Sequence, residues 1–255
     1  MTARGVMRLI APIVGVVGFL ALWQLYVVLW DVPAFKLPRP TTIIDHLRSD
    51  PGFYVRNART TLWEAFLGFA VAFAIALVLA IFMAHSRFLD QAIQPIAVLI
   101  QVTPIVAYAP VVVIWRGFGL QSIVVITAFV CFVPFLLNGV RGLRSVDANL
   151  LELAQSVNAT RREILMRLRL PSALPYLFAA ARIAVGLALI GAVLGEFFGS
   201  NSGLGYAIKV AQARPNLRMQ LWGSIYVLAF MGAATMLLIG VLERVALRWH
   251  SSERT

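Results

Sequence analysis

The side chains able to do chemistry in this chain are few, and most sit in apolar company. Glu64, Gln101, Thr103, Tyr108, Asn138, Arg182 and Glu196 all fall in or near long hydrophobic runs. A charge at the centre of a bilayer costs about 2.5 to 3.5 kcal/mol on insertion scales, so each needs a partner or water. Arg182 lies about 10 Å along a helix from Pro175, and Glu196 about 20 Å further, too far apart on one helix to pair with each other. Arg182 therefore reads as a clamp between helices. Glu196 reads either as a gate or as a packing contact with the Ser202 to Tyr206 turn. Gln101, Thr103 and Tyr108 share a run with Pro104 and Pro110, each of which removes a backbone donor. The freed carbonyls must meet neighbours or a wet cavity, which makes this run a candidate pathway wall.

Other chemistries lack their constellations. His46, His85 and His250 are far apart and no metal-ligand spacing appears, so no metal site is expected. The lysines, Lys36 and Lys209, have no phosphate-wrapping Gly-x-x-x-x-Gly-Lys context, so the chain is not expected to hydrolyse nucleotide, to hold a cofactor or to be an enzyme. Cys131 is a lone thiol, which excludes an intrachain disulfide. The net charge of +11 is spread over loops beside apolar runs, which points to anionic lipid headgroups and argues against nucleic acid.

Between Ser145 and Arg182 a polar stretch interrupts the apolar pattern. Ser145 or Asp147 can N-cap a helix whose Leu150, Leu151, Ala154 and Val157 recur at helical spacing, with Glu152 and Gln155 on the opposite side. Asn158, a residue type that tolerates the left-handed conformation, ends it. Thr160 and Glu163 form a T-x-x-E capping box for a second helix through Ile164, Leu165 and Leu168, expected to stop at Pro171. Two short helices at an elbow either touch something in water or lie on a membrane surface.

These elements belong to one all-α integral membrane domain spanning residues 1–255. At 60% hydrophobic and 13% charged the chain cannot present an ordinary soluble surface. Six spans are expected, at about 9–30, 62–84, 93–115, 122–140, 174–198 and 221–247. The first follows Arg4 and Arg8 but exceeds a signal-peptide core in length, so it reads as a retained anchor. In the loop before the second span, Pro38 and Pro40 keep the chain extended, and Thr41 or Thr42 is expected to cap a short helix through Ile43, Ile44 and Leu47. Small residues at Gly68, Ala72, Ala76 and Ala80, and at Gly191, Gly195 and Gly199 beside Ala184, Ala188 and Ala192, predict close helix approach.

The elbow resembles the permease subunits of binding-protein-dependent ABC importers, whose E-A-A-x-x-x-G-A signature appears here as Glu152, Leu153, Ala154, Asn158 and Ala159, followed by Leu170, Pro171 and Pro175. Leu153 replaces a small residue and Asn158 a glycine. Leu37-Pro38-Arg39-Pro40, Ala109-Pro110 with Trp115-Arg116-Gly117-Phe118-Gly119, and Ser202-Gly203-Leu204-Gly205-Tyr206 resemble the nitrate, taurine and sulfonate branch. The resemblance implies a type I importer permease fold with six transmembrane helices and a cytoplasmic coupling loop at 141–173. Glu152, Leu153, Ala154, Asn158, Ala159, Thr160, Glu163 and Pro171 would receive cytoplasmic ABC ATPase subunits. An extracytoplasmic solute-binding protein and a second permease copy would complete the assembly, in a bacterial inner membrane with both termini cytoplasmic. The loop basic residues leave only a thin positive-inside margin, because Lys36, Arg39, Arg48, Arg56 and Arg59 would lie outside. The Ala107 to Gly119 stretch also resembles permeases for thiamine-pyrimidine precursors. A carrier or channel working without an ATPase is the alternative of another class.

Overall fold

A computed structural model describes residues 3–247. Its elements are α-helical, in the order α1 (Ala3–Leu29), α2 (Pro40–Ser49), α3 (Pro51–His85), α4 (Arg87–Val102), α5 (Ile105–Arg116), α6 (Leu120–Leu143), α7 (Ala148–Ser156) and α8 (Arg161–Ile164). A π turn over Leu165–Arg169 leads into α9 (Leu170–Gly199), followed by α10 (Leu204–Ala213), a short 3-10 turn and α11 (Arg218–Ala246). His250 and both chain ends lie outside the described residues, as do the side chains of Arg4 and Arg8.

At the centre α6 is sandwiched between α3 and α9, and small residues permit it. Gly68, Ala72, Ala76 and Ala80 of α3 are all buried, as are Gly191, Gly195 and Gly199 of α9. A Cβ on Gly191 would lie 2.8 Å from Thr127 Cα, and one on Gly195 2.9 Å from Ile123 Cγ2. Side chains there would hold the helices apart. Phe135 fills the remaining space, edge-on to both Phe69 and Phe73.

Direction follows from the contacts at the two ends of this sandwich. Residues 203 and 204 bond to Asn57 and Thr61 near the start of α3, and Gly119 N donates to Gly199 O at the end of α9. At the other end, Arg144 after α6 bonds Met83 O, and Arg169 before α9 bonds Ala84 O. Thus α3 and α6 run one way and α9 the other. Arg218, at the start of α11, reaches Phe35 O in the loop after α1, so α11 starts at the Asn57 end, where α1 stops. Trp23 of α1 packs on Trp222 and Tyr226 of α11.

Among the described residues, four helices are long and apolar enough to cross a membrane: Pro51–His85, Leu120–Leu143, the continuous Arg161–Gly199, and Pro215–Ala246. The run expected as one span at 93–115 is instead two helices meeting at 101°. Proline explains the break: Thr103, which precedes Pro104, is pushed out of the helical region, to φ −76 and ψ 122, and Pro104 has φ −60 and ψ 129. Because α4 begins beside the end of α3 and Gly119 follows α5 at the end of α9, the pair leads from one end of the bundle to the other. Pro95 and Pro110 sit inside α4 and α5 without a comparable interruption.

Two further expectations are corrected. The helix after Thr160 does not stop at Pro171, because Leu170 N bonds back to Leu165 O and the wider π turn carries the chain into α9 with Pro171 in its first turn. The wider turn accommodates the proline ring and its missing donor inside a continuous helix. Likewise Thr41 and Thr42 do not cap α2; its N-cap is Arg39, and Pro40 at the first helical position sets the dihedral angle. Ile43 of α2 is fully buried, and Arg59, which lies within the early turns of α3 and not in a loop, is exposed.

Candidate functional site

At the His85 end of the bundle, α7 and α8 project as an elbow whose corner is built residue by residue. Asp147 Oδ1 accepts from Asn149 N at 2.7 Å, capping α7. At the other end of α7, Asn158 takes φ +57, Asn158 N donates to Gln155 O at 2.9 Å and Ala159 N donates to Ala154 O at 2.9 Å. These paired bonds are a Schellman motif. Thr160 Oγ1 then accepts from Glu163 N while Glu163 Oε2 accepts from Thr160 N at 2.9 Å. The bond from the Thr160 backbone above all, and then one from the Thr160 hydroxyl, shift the pKa of the exposed Glu163 carboxyl down from its ordinary value.

The elbow exposes an apolar face. Leu150, Leu153 and Val157 are 50%, 62% and 69% exposed, whereas Leu151 and Ala154 are half-buried. Glu152 is exposed beside them and makes no ion pair among the described residues. Two arginines fasten the elbow's base. Arg144 donates to Asp90 Oδ2 at 2.7 Å and to Met83 O at 2.6 Å, and Arg169 Nη1 donates to Ala84 O at 3.4 Å. Cations therefore meet the free carbonyls and negative dipole end of α3.

At the opposite end, the turn between α9 and α10 is held by a row of acceptors. Gly203 N donates to Asn57 Oδ1 at 3.0 Å, Leu204 N to Thr61 Oγ1 at 2.9 Å, and Gly205 N to Glu196 Oε2 at 2.5 Å. The orphan donors of the α10 N-terminus are thereby satisfied. Gly203 has φ +95, and a Cβ there would fall on the Glu196 carboxyl. Asn57, Thr61 and Glu64 share one face of α3, and Glu64 lies beside Glu196. Glu196 is fully buried and Glu64 nearly so. At membrane depth Glu64 is expected to need a partner or water, and its spacing from Asn57 and Thr61 at i, i+4 and i+7 is the signal in the sequence for where that partner lies.

The remaining singled-out residues are dispersed. Gln101 and Thr103 are exposed at the α4–α5 corner, where Thr103 Oγ1 donates to Leu99 O at 2.7 Å. Tyr108 is half-buried against Phe129, with ring centroids 5.7 Å apart. Arg182 Nε lies 2.5 Å from Glu243 Oε2, joining α9 to α11. Neither the corner residues nor Arg182 belongs to the Glu64 and Glu196 cluster. An apolar groove of about 950 Å3 between α3, α9 and α11 is lined by Trp63, Phe66, Phe69, Leu189 and Leu238, with Arg59 and Glu64 in its wall.

Residues 72–252 match the family model described as the binding-protein-dependent transport system inner membrane component. The chain belongs to that family. It is an ABC importer permease and a multi-pass membrane protein. It is 35% identical over 235 residues to the riboflavin transport system permease protein RibX of Chloroflexus aurantiacus, covering 91% of this chain and 87% of the relative. It is 30% identical to the formylaminopyrimidine transport permease protein ThiX of Halalkalibacterium halodurans, over 89% of this chain and 93% of the relative. It is 29% identical to the putative aliphatic sulfonates transport permease protein SsuC of Bacillus subtilis, covering 91% and 85%. Among solved structures, a chain of the inward-facing MetNI methionine ABC transporter superposes with TM-score 0.68 at 19% identity, covering 78% of this permease and 98% of that chain. The type I importer permease fold is thus shared.

Proposed function

We propose that this permease is a single transmembrane domain of six spans, with α1 and the bent α4–α5 pair completing the four long helices, and that it transmits ATP-driven motion through the α7–α8 elbow. The exposed apolar face of Leu150, Leu153 and Val157 carries this reading. An amphipathic helix that buries none of its residues in its own bundle, yet is rigidly capped at both ends, is built to be gripped by another protein. Cytoplasmic ABC ATPase subunits would receive it, with Glu152, Leu153, Ala154, Asn158, Ala159, Thr160, Glu163 and Pro171 forming or supporting the contact. This puts the His85 end and both termini in the cytoplasm of a bacterial cell and the Glu196 end at the outer face.

A second permease copy would enclose the pathway, with an extracytoplasmic binding protein delivering cargo at the outer face. Gln101, Thr103 and Tyr108 at the proline-broken corner are its candidate lining, and Glu196 its outer closure. Arg182 would clamp α9 to α11 while the halves rock between inward-open and outward-open states. Replacing Leu153 and Val157 together by aspartate should abolish uptake and ATPase co-purification while membrane insertion stays normal. Unchanged co-purification in that variant contradicts the docking role.

For cargo, the sulfonate, taurine and nitrate reading competes with a pyrimidine or related heterocycle. Identity favours the second: relatives named for riboflavin and formylaminopyrimidine transport are 35% and 30% identical, against 29% for the sulfonate and 27% for the taurine relative. The partner binding protein should gain melting temperature with a pyrimidine or flavin and not with taurine; the reverse pattern restores the sulfonate reading.

A further inference from the structure

We propose that the groove between α3, α9 and α11 seats one anionic phospholipid, with an acyl chain along its apolar walls and the phosphate on Arg59 at its mouth. Arg59 sits between Asn57 and Thr61, which tie α3 to the turn before α10. Leu120, also in the lining, opens α6 at that same end of the bundle. From Arg59 to Phe69 the groove follows α3 for about 15 Å, the depth of one leaflet of a hydrocarbon core roughly 30 Å thick. On α9 it reaches Val185, about 21 Å along the helix from Gly199.

The walls suit a hydrocarbon chain and not a polar solute. Trp63, Phe66 and Leu238 are 55%, 56% and 57% exposed, so apolar side chains face the opening. Trp63 and Phe66 stack on each other with ring centroids 5.9 Å apart. The hydroxyls in the lining are spent on their own helices: Thr60 Oγ1 donates to Arg56 O at 3.2 Å and Thr235 Oγ1 to Met231 O at 2.8 Å. Glu64 is 5% exposed and adds almost nothing to the groove's surface. Charge is confined to the mouth. Arg59 is exposed and makes no ion pair among the described residues, and the same holds for Arg56, one turn nearer the start of α3. A guanidinium at headgroup level takes phosphate oxygens with its planar fork while its stem lies along apolar surface. A cation at the rim of an apolar slot one leaflet deep is the complement of an anionic phospholipid. The assignment holds whichever leaflet that end of the bundle faces.

The test uses the full-length permease purified in mild detergent, titrated with phosphatidylglycerol or with phosphatidylcholine of the same chains and read by native mass spectrometry. Wild-type protein should retain phosphatidylglycerol at least about fivefold more tightly than phosphatidylcholine. Arg59→Gln should erase that preference, whereas Arg48→Gln, at an exposed arginine of α2 outside the groove, should keep it. Leu238→Trp, which fills the groove, should weaken retention of both lipids. Equal retention of the two lipids by the wild type, a preference that survives Arg59→Gln, or retention unchanged by Leu238→Trp overturns the proposal. A photoactivated label on Leu238→Cys that captures a second copy in the native membrane also overturns it, by assigning the groove to a subunit interface. The wild-type comparison of the two lipids decides the matter even if a variant fails to assemble.

Discussion

Gly203 shows how a single position can govern one end of this permease. Its φ of +95 and the absence of a Cβ let three successive backbone donors reach Asn57, Thr61 and Glu196. Gly203→Ala combines left-handed strain with a clash on the Glu196 carboxyl, so a loss of at least roughly 1 to 3 kcal/mol is expected, read as lower melting temperature of the purified permease. Thr61→Val keeps the volume but leaves Leu204 N without its acceptor. It should cost about 1 to 3 kcal/mol, whereas Thr61→Ser should remain close to wild type in the same assay. At this scale the sequence was legible where the partners are near neighbours. Thr160 and Glu163 meet because a capping box needs only three residues of chain, and Asn158 turns the corner because its own side chain tolerates the left-handed backbone. Glu64 and Glu196, and Arg182 and Glu243, meet only through helix packing, which local spacing does not encode.

Among the elements, the elbow and the broken α4–α5 pair respond to opposite uses of backbone chemistry. Asn158→Gly should leave the elbow intact, since glycine accepts φ +57 freely, while Asn158→Val should disrupt it at a cost of roughly 1 to 3 kcal/mol. Hydrogen exchange over residues 148–164 distinguishes the two variants. Proline was the less legible signal. Pro104 breaks the run at 101° because Thr103 is forced extended, yet Pro110 and Pro95 sit within helices and Pro171 is accommodated at a π turn. The residue type is the same in each case. What differs is whether the residue before the proline stays helical, as it does within α4 and α5 and does not at Thr103.

For the whole molecule, small residues on α3 and α9 let α6 approach closely, and polar ties fasten the sandwich at both ends. Arg144 and Arg169 secure the elbow's base to the end of α3, while the Gly203 to Gly205 donors secure the start of α3 to α9. The proposed push on α7 would reach the opposite end through helices tied at both ends. Composition and hydropathy made the membrane bundle legible, and the motif spacing made the family legible. The bend between α4 and α5, the length of α3 and the continuity from α8 into α9 emerge only in the packed structure.

The most direct test of force transmission through the elbow is paired measurement of ATPase co-purification and solute uptake in the Leu153→Asp, Val157→Asp double variant, with membrane insertion as control. The account predicts a normally inserted permease that captures no ATPase and supports no uptake. Wild-type capture and uptake in that variant would contradict it.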